Sequence, residues 1–251
     1  MTELSKFLQT WATKSESDPN IPRSAELSRT YNQGCMLAYA LDKLGERWTL
    51  LIVRDLFLGP RGFVELQTGL GGIGGSLLSK RLKELEEMQL VASEGGEGKR
   101  SQYRLTELGE QLRPTVRTMM RWSLRFMRET ADEEMLRKLV ETAYKPDSLA
   151  LALEIYADYH REPALSYVAR LVIDNHPYTI YYMSGEMTVK RGADTPAMAT
   201  IETSAETVLA GLRRQIGPDE AKARSKTDGD PKALAHLLEC IGAKRKAGKA
   251  A

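Results

Sequence analysis

Residues 69–104 read GLGGIGGSLLSKRLKELEEMQLVASEGGEGKRSQYR, and this stretch decides the fold. A glycine-rich turn leads into a short amphipathic helix, a strand, a Gly/Lys/Arg loop and a second strand. At about 3.6 residues per turn, Leu78, Leu82 and Leu85 share one helix face. Ser76, Ser79, Lys80 and Lys83 fall at i, i+3, i+4 and i+7 on the opposite one. Short hydroxyls permit close approach and ammonium groups neutralise phosphates, a combination suited to a helix lying in the major groove of DNA. A plain solvated face is the bland alternative.

Gly69 to Gly74 also match G-x-G-x-x-G, with Glu94 placed where a dinucleotide fold carries its ribose-binding acid. That fold needs a buried strand directly before the glycines. Here Phe63 and Leu66 precede at helical spacing, and Leu105-Thr106-Glu107 leads into another helix. The glycines are therefore read as the turn between two helices.

Working outward, Leu37, Ala40, Leu41 and Leu44 form a helical face that ends at Gly45. Residues 48–58, WTLLIVRDLFL, are apolar nearly all round, as in a helix at the centre of a bundle, and Gly59-Pro60 stops them. Gly62 to Leu70 is a third helix, packed by Phe63, Val64 and Leu66. Leu90 to Ser93 and Ser101 to Leu105 flank Glu94 to Arg100, whose Lys99 and Arg100 would reach along a DNA backbone. Helices, the glycine turn, the fourth, amphipathic helix and a hairpin make a winged helix-turn-helix.

The charge distribution agrees. The net charge of the 251 residues is only +2. Residues 26–130 carry 16 basic against 13 acidic side chains, residues 131–243 carry 13 against 18, and the tail 244–251 adds four basic ones. A polyanion would meet the first part and the tail, not the second part. With 42% apolar and 28% charged residues the composition is that of a globular protein. Two cysteines fit a reducing compartment, and neither an apolar run of membrane-spanning length nor a secretion signal is legible, so a cytoplasmic protein without membrane insertion is expected.

Residues 29–128, with Cys35, Gly45, Arg47-Trp48-Thr49, Gly59-Pro60, Phe63, Leu66, Leu82, Leu85-Glu86, Tyr103 and Leu105-Thr106, closely resemble the HxlR-type winged-helix transcriptional regulators. Gly62 departs from the family, which often has Arg or Lys there. The resemblance implies a homodimer on an inverted repeat of double-stranded DNA, one recognition helix per half-site. A following helix carries Val116, Met119, Met120, Phe126 and Met127 at near-heptad spacing; such a stripe is core or interface, and is assigned to the dimer seam. In some members the cysteine at the position of Cys35 senses oxidants or electrophiles. Cys35 precedes a predicted helix, where unpaired amides favour a thiolate; the alternative is a small side chain packing the seam.

Beyond Lys145-Pro146-Asp147 the texture changes. Leu149 to His160 reads as helical or partly extended, Ser166 to Asp174 and Tyr178 to Ser184 as strands about a turn at Asn175-His176-Pro177, and Met187 to Lys190 as a third strand. Thr203 with Glu206 reads as a capping box, and Asp230-Pro231 as the cap of a last helix carrying Leu234, Leu237, Leu238 and Ile241. The segments YTIYYMSGEMTVKRG, ATIETSAETVLAGL and DGDPKALAHLLECIG resemble the sterol-carrier-protein type 2 domain over residues 148–242. That resemblance implies a sheet with an apolar tunnel beneath its helices, able to hold a small hydrophobic effector.

The expected organisation is thus α+β throughout: a mobile arm 1–28, a winged helix-turn-helix 29–130, a linker 131–147, a sterol-carrier-like ligand domain 148–243 and a basic tail 244–251. His160, His176 and His236 lack metal-ligand spacing and read as surface or turn residues; no nucleophile motif or Walker loop is present. No enzyme, metal or cofactor is expected. The leading function is a DNA-binding regulator; the alternative is a lipid-binding or carrier protein whose winged helix serves protein contacts.

Overall fold

The computed structural model describes residues 30–95, 101–130 and 145–242. The arm 1–28, Lys99 and Arg100, most of the expected linker and the basic tail lie outside them. The chain divides into two compact units between Leu50 and Leu51.

The first unit contributes helix α1, Met36–Leu44, closed by Gly45 donating to the Leu41 carbonyl at 2.7 Å. Its expected apolar face is not buried. Leu37 is 67% and Leu41 42% exposed, beside Met36 at 87% and Tyr39 at 62%, and only Ala38 is covered. Helix α2, Thr49–Leu56, runs across the boundary.

The second unit holds two lobes. In the first, Ile52, Val53, Leu56, Phe57 and Leu58 are buried, as the all-round apolar pattern requires. Strand β1 is only Arg61–Gly62; helix α3 is Phe63–Leu70 and helix α4 is Gly75–Glu87. Gly71 and Gly72 between the helices have φ of +60° and +87°, a left-handed backbone that glycine adopts without a Cβ clash. The turn reading holds and the dinucleotide reading falls. Val64, expected in the packing, is 68% exposed, while Leu66 is fully buried. Strands β2 (Val91–Glu94) and β3 (Gln102–Leu105) form the wing, with β1 added antiparallel to β3 in the order β1-β3-β2. Short helix α5, Glu107–Glu110, is capped by Thr106, whose hydroxyl accepts from the Gly109 amide and donates to the Gln89 carbonyl. Helix α6, Arg113–Thr130, follows.

The second lobe opens with helix α7, Pro146–Ala157, and a 3-10 turn, Asp158–His160. Pro146 and Asp147, expected in the linker, are instead its first turn. Strands β4 (Tyr167–Ile173), β5 (His176–Met183) and β6 (Glu186–Arg191) form a meander. Its hairpins turn on Asp174-Asn175 and Ser184-Gly185, all with positive φ, as two-residue hairpin loops prefer. The first turn lies one residue earlier than expected, leaving His176-Pro177 in the strand.

Strand β7 (Ala199–Thr203), helices α8 (Ala205–Leu212) and α9 (Pro218–Ala223), strand β8 (Lys226–Gly229) and helix α10 (Pro231–Ile241) complete the lobe. The sheet order is β6-β5-β4-β7-β8, with β7 parallel to β4. Alternation along β4 sends Tyr167, Ala169, Leu171 and Ile173 to the face that α7 and α10 cover. On the outer face, residues 192–198 cross from β6 to β7 and are strapped down: Arg170 donates to the Ala193 and Thr195 carbonyls, Thr179 to the Gly192 carbonyl, and the Tyr181 and Thr195 hydroxyls lie 2.7 Å apart.

Candidate nucleic-acid interface

Helix α4 divides by face. Leu78, Leu82 and Leu85 are at most 1% exposed, and Ser76, Ser79, Lys80 and Lys83 are all exposed on the opposite side. Lys80 lies 3.9 Å from Glu84 and Lys83 3.8 Å from Glu87. Pairs this loose and exposed contribute about 0.3–0.5 kcal/mol each, so either lysine can turn to another anion at little cost. Arg81, which sequence reasoning passes over, is buried at 5% and donates to Glu84 at 2.5 Å. It faces the lobe, not solvent. On the wing, Arg104 pairs with Glu94 across the β2–β3 ladder; the supposed ribose acid is an ordinary cross-strand partner.

Of the expected seam residues on α6, Val116 is 6% exposed and Met127 8%, so both are covered by their own chain. Met120 is half-buried. What α6 leaves open is Met119 at 50%, Trp122 at 62% and Phe126 at 49%, the last two stacked with ring centroids 5.1 Å apart. Cys35 is exposed and precedes α1 in extended backbone. The Ala38 amide, then that of Leu37, holds its thiol below the usual value. Cys240 is buried, which pushes its thiol well up.

Three rings pack together between the sheet and the helices of the second lobe. Tyr167 and Tyr182 stack at 5.2 Å, and His236 lies 4.2 Å from the Tyr182 ring. His236 Nε2 meets the His160 carbonyl at 2.8 Å, an atom that only accepts, so Nε2 carries a proton and Nδ1 is left to face the Tyr167 hydroxyl at 2.8 Å. His236 is 3% exposed, a core residue and not the surface residue expected. A depression of about 520 Å3 at the end of the sheet is polar and open, lined by Asp174, Glu202, Ser204, Arg224 and Lys226.

Sequence reasoning misses how the two lobes of the second unit are joined. Arg113 donates to Glu154 at 2.6 Å, to the Phe57 carbonyl at 2.7 Å and to Glu110, with its guanidinium 4.5 Å from the Phe57 ring. Glu154 also accepts from the Val189 amide, and Lys190 pairs with Glu110 at 2.6 Å. Arg117 reaches the Glu154 carbonyl and Asp158. A second group centres on Asp147, which accepts from Arg191, Arg61 and the Tyr178 hydroxyl.

Helix, glycine turn, helix and wing define the class: a winged helix-turn-helix protein. The HxlR-like helix-turn-helix model matches residues 43–131. The chain is 36% identical over 86 residues to the uncharacterised HTH-type transcriptional regulator YvaP of Bacillus subtilis strain 168, covering 34% of this chain and 80% of that one. To the HTH-type transcriptional regulator YodB of the same organism it is 34% identical, covering 35% and 80%. An uncharacterised HTH-type transcriptional regulator of Mycobacterium tuberculosis strain CDC 1551 is 39% identical over 100 residues, covering 39% of this chain and 62% of the relative's own length. Among solved structures, reduced YodB is 32% identical, covering 38% and 95%, with a TM-score of 0.34. The chain belongs to the HxlR-like helix-turn-helix family. These relatives are named as transcriptional regulators, not as enzymes.

Proposed function

We propose that the protein is a transcriptional regulator that binds double-stranded DNA as a homodimer, inserting α4 into the major groove of each half of an inverted repeat. The observation that carries this reading is the division of α4, with a buried leucine face opposite an exposed face of Ser76, Ser79, Lys80 and Lys83. Lys99 and Arg100 serve the flanking phosphates in this reading. A second copy covers the exposed Met119, Trp122 and Phe126 of α6, with Met120 at its margin. Cys35 is its reactive thiol, held toward thiolate by the amides ahead of it. The second lobe acts on DNA binding through its attachment to the first, and an apolar effector entering beneath its helices would have to displace the packed Tyr167, Tyr182 and His236 rings. Among the described residues no helix is long and apolar enough to cross a membrane. The deciding experiment is titration of the protein against its own upstream DNA over a range of salt. Binding through phosphates releases counterions, so affinity must fall steeply with salt; affinity indifferent to salt rejects the proposal.

A further inference from the structure

Three residues of the second lobe, Lys145, Asp147 and Arg191, converge on the segment that delivers α4. Lys145, just before α7, donates to the Gly69 carbonyl at 2.8 Å, in the last turn of α3 and directly before the Gly71–Gly72 turn. Asp147, in the first turn of α7, accepts from Arg61 of β1, whose guanidinium lies 3.8 Å from Asp55 of α2 and 3.5 Å from the Glu65 carbonyl of α3. Asp147 also holds Arg191 at 3.0 Å, and Arg191 caps the end of α2 by donating to the Asp55 and Gly59 carbonyls. The Arg191 amide donates to Leu58 at 2.7 Å.

Gly69 shows how closely Arg61 lies against the end of α3. Its φ is not in the left-handed region, so turn geometry does not explain it. A methyl there would run into Arg61 Nη1 and come within 3.1 Å of Asp55 Oδ2. The Arg61 guanidinium passes along the end of α3 on its way to Asp147. Tyr178, at 2.7 Å, supplies a further donor to the carboxylate, and with both arginines it over-determines where Asp147 sits.

We infer that Asp147 is a positioning residue for the helix-turn-helix: by holding Arg61 and Arg191 together it fixes the end of α2 and the end of α3, and hence the direction in which α4 leaves the glycine turn. The second lobe is a brace built into the DNA reader, not a separately hinged module. The functional half of this inference rests on the DNA-binding reading; the structural half does not.

The test uses the full chain carrying Asp147→Asn, with Tyr178→Phe as a control that keeps both carboxylate–guanidinium pairs. Hydrogen exchange is read at the amides of Leu70 and Gly71, the latter bonded to the Gln67 carbonyl, and DNA affinity is titrated against salt. In Asp147→Asn, exchange at these amides accelerates by about tenfold or more while the cores of α7 and α10 keep their protection. DNA affinity falls by about tenfold with an unchanged salt slope, because every group that meets a phosphate is still present. Tyr178→Phe shifts both far less. Should Asp147→Asn fail to fold, Lys145→Ala removes only an exposed hydrogen bond and must still speed exchange at the end of α3. Unchanged exchange in a folded variant overturns the brace. Faster exchange with unaltered affinity overturns its role in DNA binding alone. Salt-independent binding by the unmodified protein would sink the DNA-binding reading and leave the exchange result to decide the brace.

Discussion

Arg113 of α6 and Glu154 of α7, 41 residues apart, meet through a 2.6 Å hydrogen bond with side chains only 9% and 2% exposed. Burial pushes the Glu154 carboxyl above its ordinary range, against the downward pull of Arg113 and the Val189 amide. The pair is sustained because its hydrogen-bonding capacity is spent on the Phe57 carbonyl, Glu110 and Val189. Buried charges without such partners are costly.

Arg113→Ala therefore strands a buried carboxylate and destabilises the unit by about 3–5 kcal/mol, measured by urea unfolding. The sign of its pH dependence follows. Without Arg113 the folded-state pKa of Glu154 rises further, so the deficit is full above that raised value and shrinks as the pH falls through it. A deficit that grows on acidification contradicts this account. Exchanging both residues, as Arg113→Met with Glu154→Leu, costs less than either single change because no lone charge remains.

Asp147 shows the opposite sign. Burial works to raise its pKa, but the hydrogen bond and charge of Arg191, with Tyr178 and Arg61, outweigh it and hold the carboxyl below 3.8. Its contribution to stability is complete above 3.8 and is lost as the pH falls through the lower folded-state value. The stability difference between the wild type and Asp147→Asn is expected to be constant at higher pH and to close below that range.

On α4, Lys80→Ala together with Lys83→Ala should weaken DNA binding across all sequences and reduce the salt slope by about one unit for each phosphate that the lysines no longer neutralise. Ser79→Ala, if Ser79 reads a base edge, costs about 1–3 kcal/mol at one position of the site and leaves the slope alone. Unaltered affinity in the folded double-lysine variant would falsify the assignment of α4 as the recognition helix.

The aromatic pair on α6 gives a test of assembly. Trp122→Arg places a charge in the exposed row of Met119, Trp122 and Phe126 and should shift sedimentation from dimer to monomer, with DNA affinity falling in parallel. A wild type that sediments as a monomer at every concentration removes the row's proposed role.

A thiolate-selective reagent near neutral pH should modify Cys35 well before Cys240, since the first thiol is open and amide-stabilised and the second is buried. Cys35→Ser should abolish the fast phase. Equal, slow labelling of both cysteines would leave Cys35 without a chemical role.

What is legible in the sequence is local. The two faces of α4, the wing strands and the β4–β6 meander each announce themselves within about one supersecondary unit by period and turn residues. Strand β7 escapes a sequence reading because Ala199–Thr203 ends against a helix. Thr203 still pairs with Ile173, so the cap falls to Ser204, which accepts from the Thr207 amide. Strand β8 is an edge of four mostly exposed residues with no apolar alternation. Helix α7 is buried nearly all round, which leaves no amphipathic period to recognise. The Asp147 group joins residues separated by 86 and 44 positions, a proximity that no local window contains. The exposed row on α6 is visible in outline, but Val116 is not separable from it, since helical spacing alone does not say which neighbour covers a side chain.

The parallel seat of β7 beside β4 also sets an order of events on the ribosome. The β4–β6 meander can pair as soon as it emerges, for its turns join neighbours. Until Ala199–Thr203 follows, the nascent chain carries an unfinished sheet with one side of β4 open, an adhesive margin of the sort that recruits the wrong strand. The strap of residues 192–198, gripped by Arg170, Thr179 and Tyr181 on strands already made, leads the incoming strand across to that margin. Strand β7 then becomes the open margin in its turn, until Lys226–Gly229 pairs with it as β8 and closes the sheet with a short, exposed edge.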